Sequence, residues 1–405
     1  MVLSPGVGGD FPGLMNRKLK AAYFTIEGVN SFATVLYIYY LYFLMRDHFG
    51  FGNKRNLALA AGLGLVYMVA AWQGGKFAQR RGYTASLKVG FITMALSLAA
   101  GLFIPGMTSQ IVAAVGFNAG TCYIWPALEA LVSDGETAER LPHMVGLYNV
   151  VWAITNAFAF FIGGTLIKIF GFQVILILPL MLVLGLLLAV FWLQKPAASV
   201  AQDAATHGTA ALPADPHRPT PAKAKCFLQM AWLSNPFAYI AINTLIAVIP
   251  GIAAKFQMSP MLAGFVCSLW GFARLGAFLG LWHWTGWHYR FRWLAAAFAM
   301  LIVSFAAILM SPSLAVLILA QIFFGGAIGL IYYSSLFYSM DAGDAKGEHG
   351  GIHEAAIGLG NCLGPAVGAA ALEFLPQVQH SGAMAVSMLL CAGFGGLLGI
   401  WRKAG

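Results

Sequence analysis

The sequence predicts an all-α integral membrane protein, with twelve transmembrane helices in two pseudo-symmetric six-helix bundles. Three observations carry this prediction. Only 9% of the residues are charged and 60% are hydrophobic, where a soluble domain carries about a quarter charged. The apolar residues gather into runs long enough to cross a hydrocarbon core as helices, and the alternating ten-residue segments of an outer-membrane barrel are missing. One long polar stretch, 195–225, rich in Ala, Pro and Thr, divides the chain into two comparable parts. It offers too little apolar surface to offset the entropy of ordering, so it reads as a linker.

Six apolar segments precede the linker, at 21–45, 56–78, 83–104, 109–133, 143–168 and 172–194. Six follow it, at 232–254, 261–284, 293–311, 313–340, 352–375 and 382–401. Each is expected to be helical because a backbone in lipid must satisfy its own hydrogen bonds. Pro, Gly and charged clusters punctuate most of the gaps. Residues 1–194 are thus assigned to a first bundle, 195–231 to the linker and 232–405 to a second bundle. Met1 to Lys20 is rich in Gly and Pro without an apolar core, so no secretory signal peptide is expected there. Cys122, Cys226, Cys267, Cys362 and Cys391 are scattered without metal-ligand spacing, and neither a disulfide framework nor a zinc site is expected.

A formal net charge of +9 invites a nucleic-acid reading, but the placement of the charge argues for topology instead. With both termini in the cytoplasm, 17 Lys and Arg residues fall on that side. Only Arg46, Lys54, Arg55, Lys168 and Lys255 fall on the other, with Arg274 inside the eighth segment. The positive-inside rule favours this orientation and a cytoplasmic linker; the expected setting is the inner membrane, with the lipid bilayer rather than nucleic acid as partner. Sliding the chain by 205 residues aligns Asn30 with Asn235, Phe32 with Phe237, Gly75 with Gly280, Gly120 with Gly325, Asn156 with Asn361 and Gly163 with Gly368. One register serving several helices of both halves points to a duplicated six-helix unit.

Between the second and third segments stands GKFAQRRG, Gly75 to Gly82, with Lys88 beyond. This run resembles the cytoplasmic signature of the major facilitator superfamily, a Gly followed four positions on by Asp, then Arg and Gly. Gly75, Arg80 and Gly82 match, while Gln79 stands where the family places its Asp. The Gly-Pro pair typical of the fifth helix of many antiporters is missing from 156–164; Gly364 and Pro365 stand on the eleventh segment instead. Helix count, central loop and orientation extend the resemblance over the whole chain. It implies two bundles rocking about a cavity lined mainly by the first, fourth, seventh and tenth helices. It also implies a cytoplasmic gating motif at Gly75, Gln79, Arg80 and Gly82.

Glu27, Asn30, Ser31, Thr34 and Tyr37 share one face of the first segment at helical spacing. A polar stripe there faces a cavity or another helix. Glu27 is read as a proton carrier or as a packing bond to a neighbouring helix. Glu129 and Glu354 are acids of the same kind, and His353 with Glu354 opens the eleventh segment as a proton relay or an interfacial cap. His349 and His353 stand at i and i+4 but not in the order of a zinc protease, so no metal is assigned. Arg274 lies midway along the eighth segment, where a guanidinium is costly unless it meets an anion, an ion-pair partner or water. Its planar fork suits a carboxylate, which leaves room for an anionic substrate beside the alternative of a structural ion pair. With Asn30, Tyr37, Tyr123, Asn243, Tyr332 and Tyr333 it completes the candidate substrate-binding set, the tyrosines offering ring faces and hydroxyls together.

No GxxxxGK[ST] loop is present, so ATP is not expected to drive the protein directly. The expected function is secondary active transport by alternating access, as a monomer without cofactor or enzymatic activity. The preferred form is proton-coupled uptake, by symport, of a small organic anion or polar metabolite. Proton-driven efflux of amphipathic compounds is the near alternative. A membrane enzyme built on His349, His353 and Glu354, and a receptor without flux, are the alternatives of another class.

Overall fold

A computed structural model of the chain describes residues 12–134, 136, 141–193, 220–341 and 348–404. In the first half the helices are α1 (Pro12–Phe49), α2 (Asn53–Arg81), α3 (Tyr83–Phe103), α4 (Met107–Ser133), α5 (Leu141–Phe170) and α6 (Val174–Leu193). In the second half they are α7 (Pro221–Lys255), α8 (Pro260–Cys267), α9 (Leu269–His283), α10 (Phe291–Leu309), α11 (Leu314–Asp341), α12 (Glu348–Phe374) and α13 (Ser381–Ala404). Among the described residues twelve spans are long and apolar enough to cross a membrane, α8 and α9 together forming the eighth. The expected all-α, twelve-span fold is therefore present.

Two local differences from the sequence expectation have plain causes. The seventh helix starts at Pro221 rather than 232. Thr220 caps it, its Oγ1 accepting from the Lys223 N–H at 3.4 Å, and Pro221 sits at the first helical position, where it lacks no useful donor. The polar residues that read as linker therefore extend an apolar helix beyond its membrane core. The eighth span is locally irregular at Ser268, where the backbone stays helical and the hydroxyl donates to the Phe265 carbonyl at 3.1 Å. A hydropathy pattern cannot show this, because the residues on both sides of Ser268 are apolar.

The halves meet along two seams, α2 against α12 and α5 against α8 and α9. Under the 205-residue repeat the second span corresponds to the eighth and the fifth to the eleventh, so the two seams are equivalent by symmetry. Glycines let the backbones approach. A Cβ at Gly64 would run into the backbone of Asn361 and Cys362, one at Gly358 into Met68, and one at Gly164 into Pro260 and Met261. At the end of the molecule bearing the α1–α2 turn, Arg46 donates to the Pro250 carbonyl and Lys54 pairs with Glu373 at 2.7 Å. Tyr40 donates to the Phe160 carbonyl at 2.6 Å, fixing α1 on α5 within the first half.

Candidate functional site

Helical spacing sets one side of the site. Trp270, Arg274 and Phe278 recur every four residues on α9 and so share a face. Tyr148 and Trp152 do the same on α5. The Arg274 guanidinium carbon lies 4.2 Å from the centre of the Trp152 ring and 5.3 Å from that of Trp270. Arg274 is only 4% exposed. Among the described residues no carboxylate lies within 4.0 Å of it, and its Nε has no hydrogen-bond partner. A cation over an aromatic face gains about 2 kcal/mol when desolvated, whereas an unpaired buried ion costs several kcal/mol. The rings do not offset the burial, and an anion would.

Rings surround this cation in two stacked pairs, each drawn from both halves. Trp152 of α5 lies against Tyr332 of α11, centroids 5.4 Å apart and planes 24° from parallel. Tyr39 of α1 lies against Trp270 of α9 at 6.4 Å and 22°. Tyr332 also meets Phe278 at 5.9 Å and Tyr239 of α7 at 6.3 Å.

Carboxyl groups form the other side. Glu27 of α1 is fully buried and accepts from the Ser31 hydroxyl at 2.7 Å and the Tyr148 hydroxyl at 3.0 Å. Glu354 of α12 accepts from Tyr67 of α2, a hydrogen bond that crosses between the halves. Glu129 of α4 lies near enough for its charge to act on both. Tyr148, which bonds Glu27, and Trp152, which lies under Arg274, are one turn apart on α5, so the acidic and basic sides adjoin.

The expected residues divide accordingly. Arg274, Tyr332, Glu27, Glu129 and Glu354 come together in this region. Asn243 adjoins it, its Nδ2 donating to Asn361 of α12 and to the Tyr239 carbonyl at 3.4 Å. Tyr333 packs between Phe278 and Trp287, both 5.9 Å away. Tyr37 instead sits edge-on to Phe117 of α4 at 4.7 Å, inside the first half. Asn30 is fully buried with neither side-chain amide atom paired, and Tyr123 packs on Phe77 at 5.6 Å. Of the gating motif, Gly75 is buried, Gln79 and Arg80 are exposed, and Gly82 carries the chain from α2 to α3 with φ of 90°, a conformation that favours glycine. The side chains of His349 and His353 lie outside the described residues.

Sequence reasoning missed Tyr67, Tyr148, Trp152, Tyr239, Trp270 and Phe278 as parts of the site. The usable signal was the i, i+4 recurrence of rings about Arg274 on the eighth segment and of Tyr148 and Trp152 on the fifth.

The family model described as Major Facilitator Superfamily matches residues 23–369. No curated protein matches the sequence. Among solved structures, the chain is similar to the human organic anion transporter MFSD10 (TETRAN), with a TM-score of 0.65, 15% identity, and 95% of this chain and 99% of that one covered. It is similar as well to a mutant form of the nucleoside transporter NupG, with a TM-score of 0.68, 13% identity and the same shares covered. At these identities the likeness establishes a shared fold.

Proposed function

The chain belongs to the major facilitator superfamily, and from that premise we propose that it takes up a small organic anion together with protons, by alternating access. That it is a membrane transporter follows from the family; direction, coupling and substrate class are the proposal. The two similar structures named above differ in cargo by name, an organic anion transporter and a nucleoside transporter, so the choice rests on the site. The observation that carries it is the buried, unpaired Arg274 on the α5 seam between the halves. A carboxylate docked there would touch both bundles at once, through Arg274 of the second half and Trp152 of the first. Cargo held by both halves stabilises closure around itself, which is the coupling that alternating access needs.

Glu27, Glu129 and Glu354 are the proposed proton carriers. Glu27 and Glu354 are held by hydroxyl groups, which can donate to a carboxylate and accept from a carboxylic acid, so either protonation state keeps a partner. An ionised acid in the membrane interior is costly, and a proton bound before the bundles reorient removes that cost.

The test is uptake into proteoliposomes of a labelled pool of organic acids, with an imposed pH gradient, by the parent protein and by Arg274→Ala. Loss of uptake at unchanged thermal stability is expected. Full uptake by Arg274→Ala would remove the anion reading.

A further inference from the structure

We infer that the cargo is a planar aromatic acid carrying a single carboxylate, an inference that rests on the anion reading above and narrows it. Two features of the site point this way. The first is the kind of surface around the cation. Tyr39, Trp152, Tyr239, Trp270, Phe278 and Tyr332 meet around Arg274, and they are contributed by α1, α5, α7, α9 and α11. Tyr39, Trp152, Tyr239 and Tyr332 are only partly buried, so ring surface remains to be covered. Each near-parallel pair, Trp152 with Tyr332 and Tyr39 with Trp270, closes a ring of one half on a ring of the other, so parting of the halves would open a slot between flat faces. A flat ring that slides along such faces gains offset stacking that a puckered aliphatic ring of equal size does not. The indole N–H of Trp270 is buried without a partner, a second donor beside the guanidinium for a carboxylate oxygen.

The second feature is the charge count. Among the described residues Arg274 is the one buried basic side chain with no carboxylate beside it, since Lys20 is paired with Glu136. A second carboxylate on the cargo would find no buried cation left to pair with. One negative charge is matched, and two are not.

The experiment measures thermal stabilisation of the purified full chain in lipid nanodiscs by four probes of similar size: benzoate, cyclohexanecarboxylate, benzamide and phthalate. Benzoate is expected to stabilise the protein, with cyclohexanecarboxylate binding about tenfold more weakly or worse and benzamide and phthalate giving no shift. Arg274→Gln should abolish the benzoate response. Trp152→Leu should erase the preference for benzoate over cyclohexanecarboxylate, and Trp152→Phe should keep it. Equal response to the two acids, both lost in Arg274→Gln, would overturn the aromatic inference and leave the anion reading standing. Binding of phthalate as tight as that of benzoate would overturn the single-charge inference alone. No response to any acid, or a response that survives Arg274→Gln, would overturn both.

Discussion

Adding one methyl group at Gly64 tests whether the α2–α12 seam is as close as its glycines indicate. A Cβ there falls within contact distance of backbone atoms of Asn361 and Cys362. These atoms belong to a helix, so no rotamer change relieves the clash. The two helices must part by about 1 Å to restore a separation of roughly 3.5 Å. Overpacking of this kind costs about 1–3 kcal/mol. Because the cost falls on the packed seam and not on a parted one, it shifts their ratio by about 5- to 150-fold. The backbone of Cys362 lies at the point of contact and its side chain is half-buried, so its reaction with a maleimide is the chosen reporter of the parting. In a protein whose other four cysteines are serine, Gly64→Ala should raise the labelling rate of Cys362 by at least about fivefold. Gly62→Ala is the matched control, since its Cβ meets nothing within 4 Å on the same helix. An unchanged rate in well-folded Gly64→Ala protein would refute the reasoning.

Glu354→Gln should stop a pH gradient from driving accumulation while solute exchange at equal pH persists, as read by counterflow; loss of both would assign Glu354 to packing. Tyr40→Phe removes a buried hydrogen bond to the Phe160 carbonyl, and a loss of about 1 kcal/mol is expected, measured as a lower Tm. Lys54→Ala breaks a pair whose side chains are 51% and 56% exposed. Its effect on Tm should be small and should vanish at high salt, because an exposed pair contributes at most about 1 kcal/mol.

The fold was legible because lipid imposes a constraint that composition records: each crossing needs its own apolar run, and the linker breaks the pattern once. The site was legible only in its charged members. Arg274, Glu27, Glu129 and Glu354 stand out in apolar helices because their burial demands a reason. Trp152, Tyr148 and Tyr67 do not, since an aromatic in a membrane helix is equally at home in a core, at an interface or against a ligand. Tyr37 shows the converse difficulty. It shares a polar stripe with Glu27, yet its own ring packs edge-on to Phe117 of α4, and Tyr39, two residues on, reaches the rings about Arg274. Spacing tells which residues share a face; only packing tells what the face meets.

The eighth span has two allegiances on either side of Ser268. Its first piece, Pro260–Cys267, rests mainly on α5, with Gly164 admitting the backbone of Pro260 and Met261 and Gly264 lying against Tyr40. Its second piece, with Arg274, lies mainly along α11. The first eight residues of the span thus pack chiefly with the half that precedes them in the chain. The packing boundary between the halves falls within a single helix, some distance downstream of the covalent one.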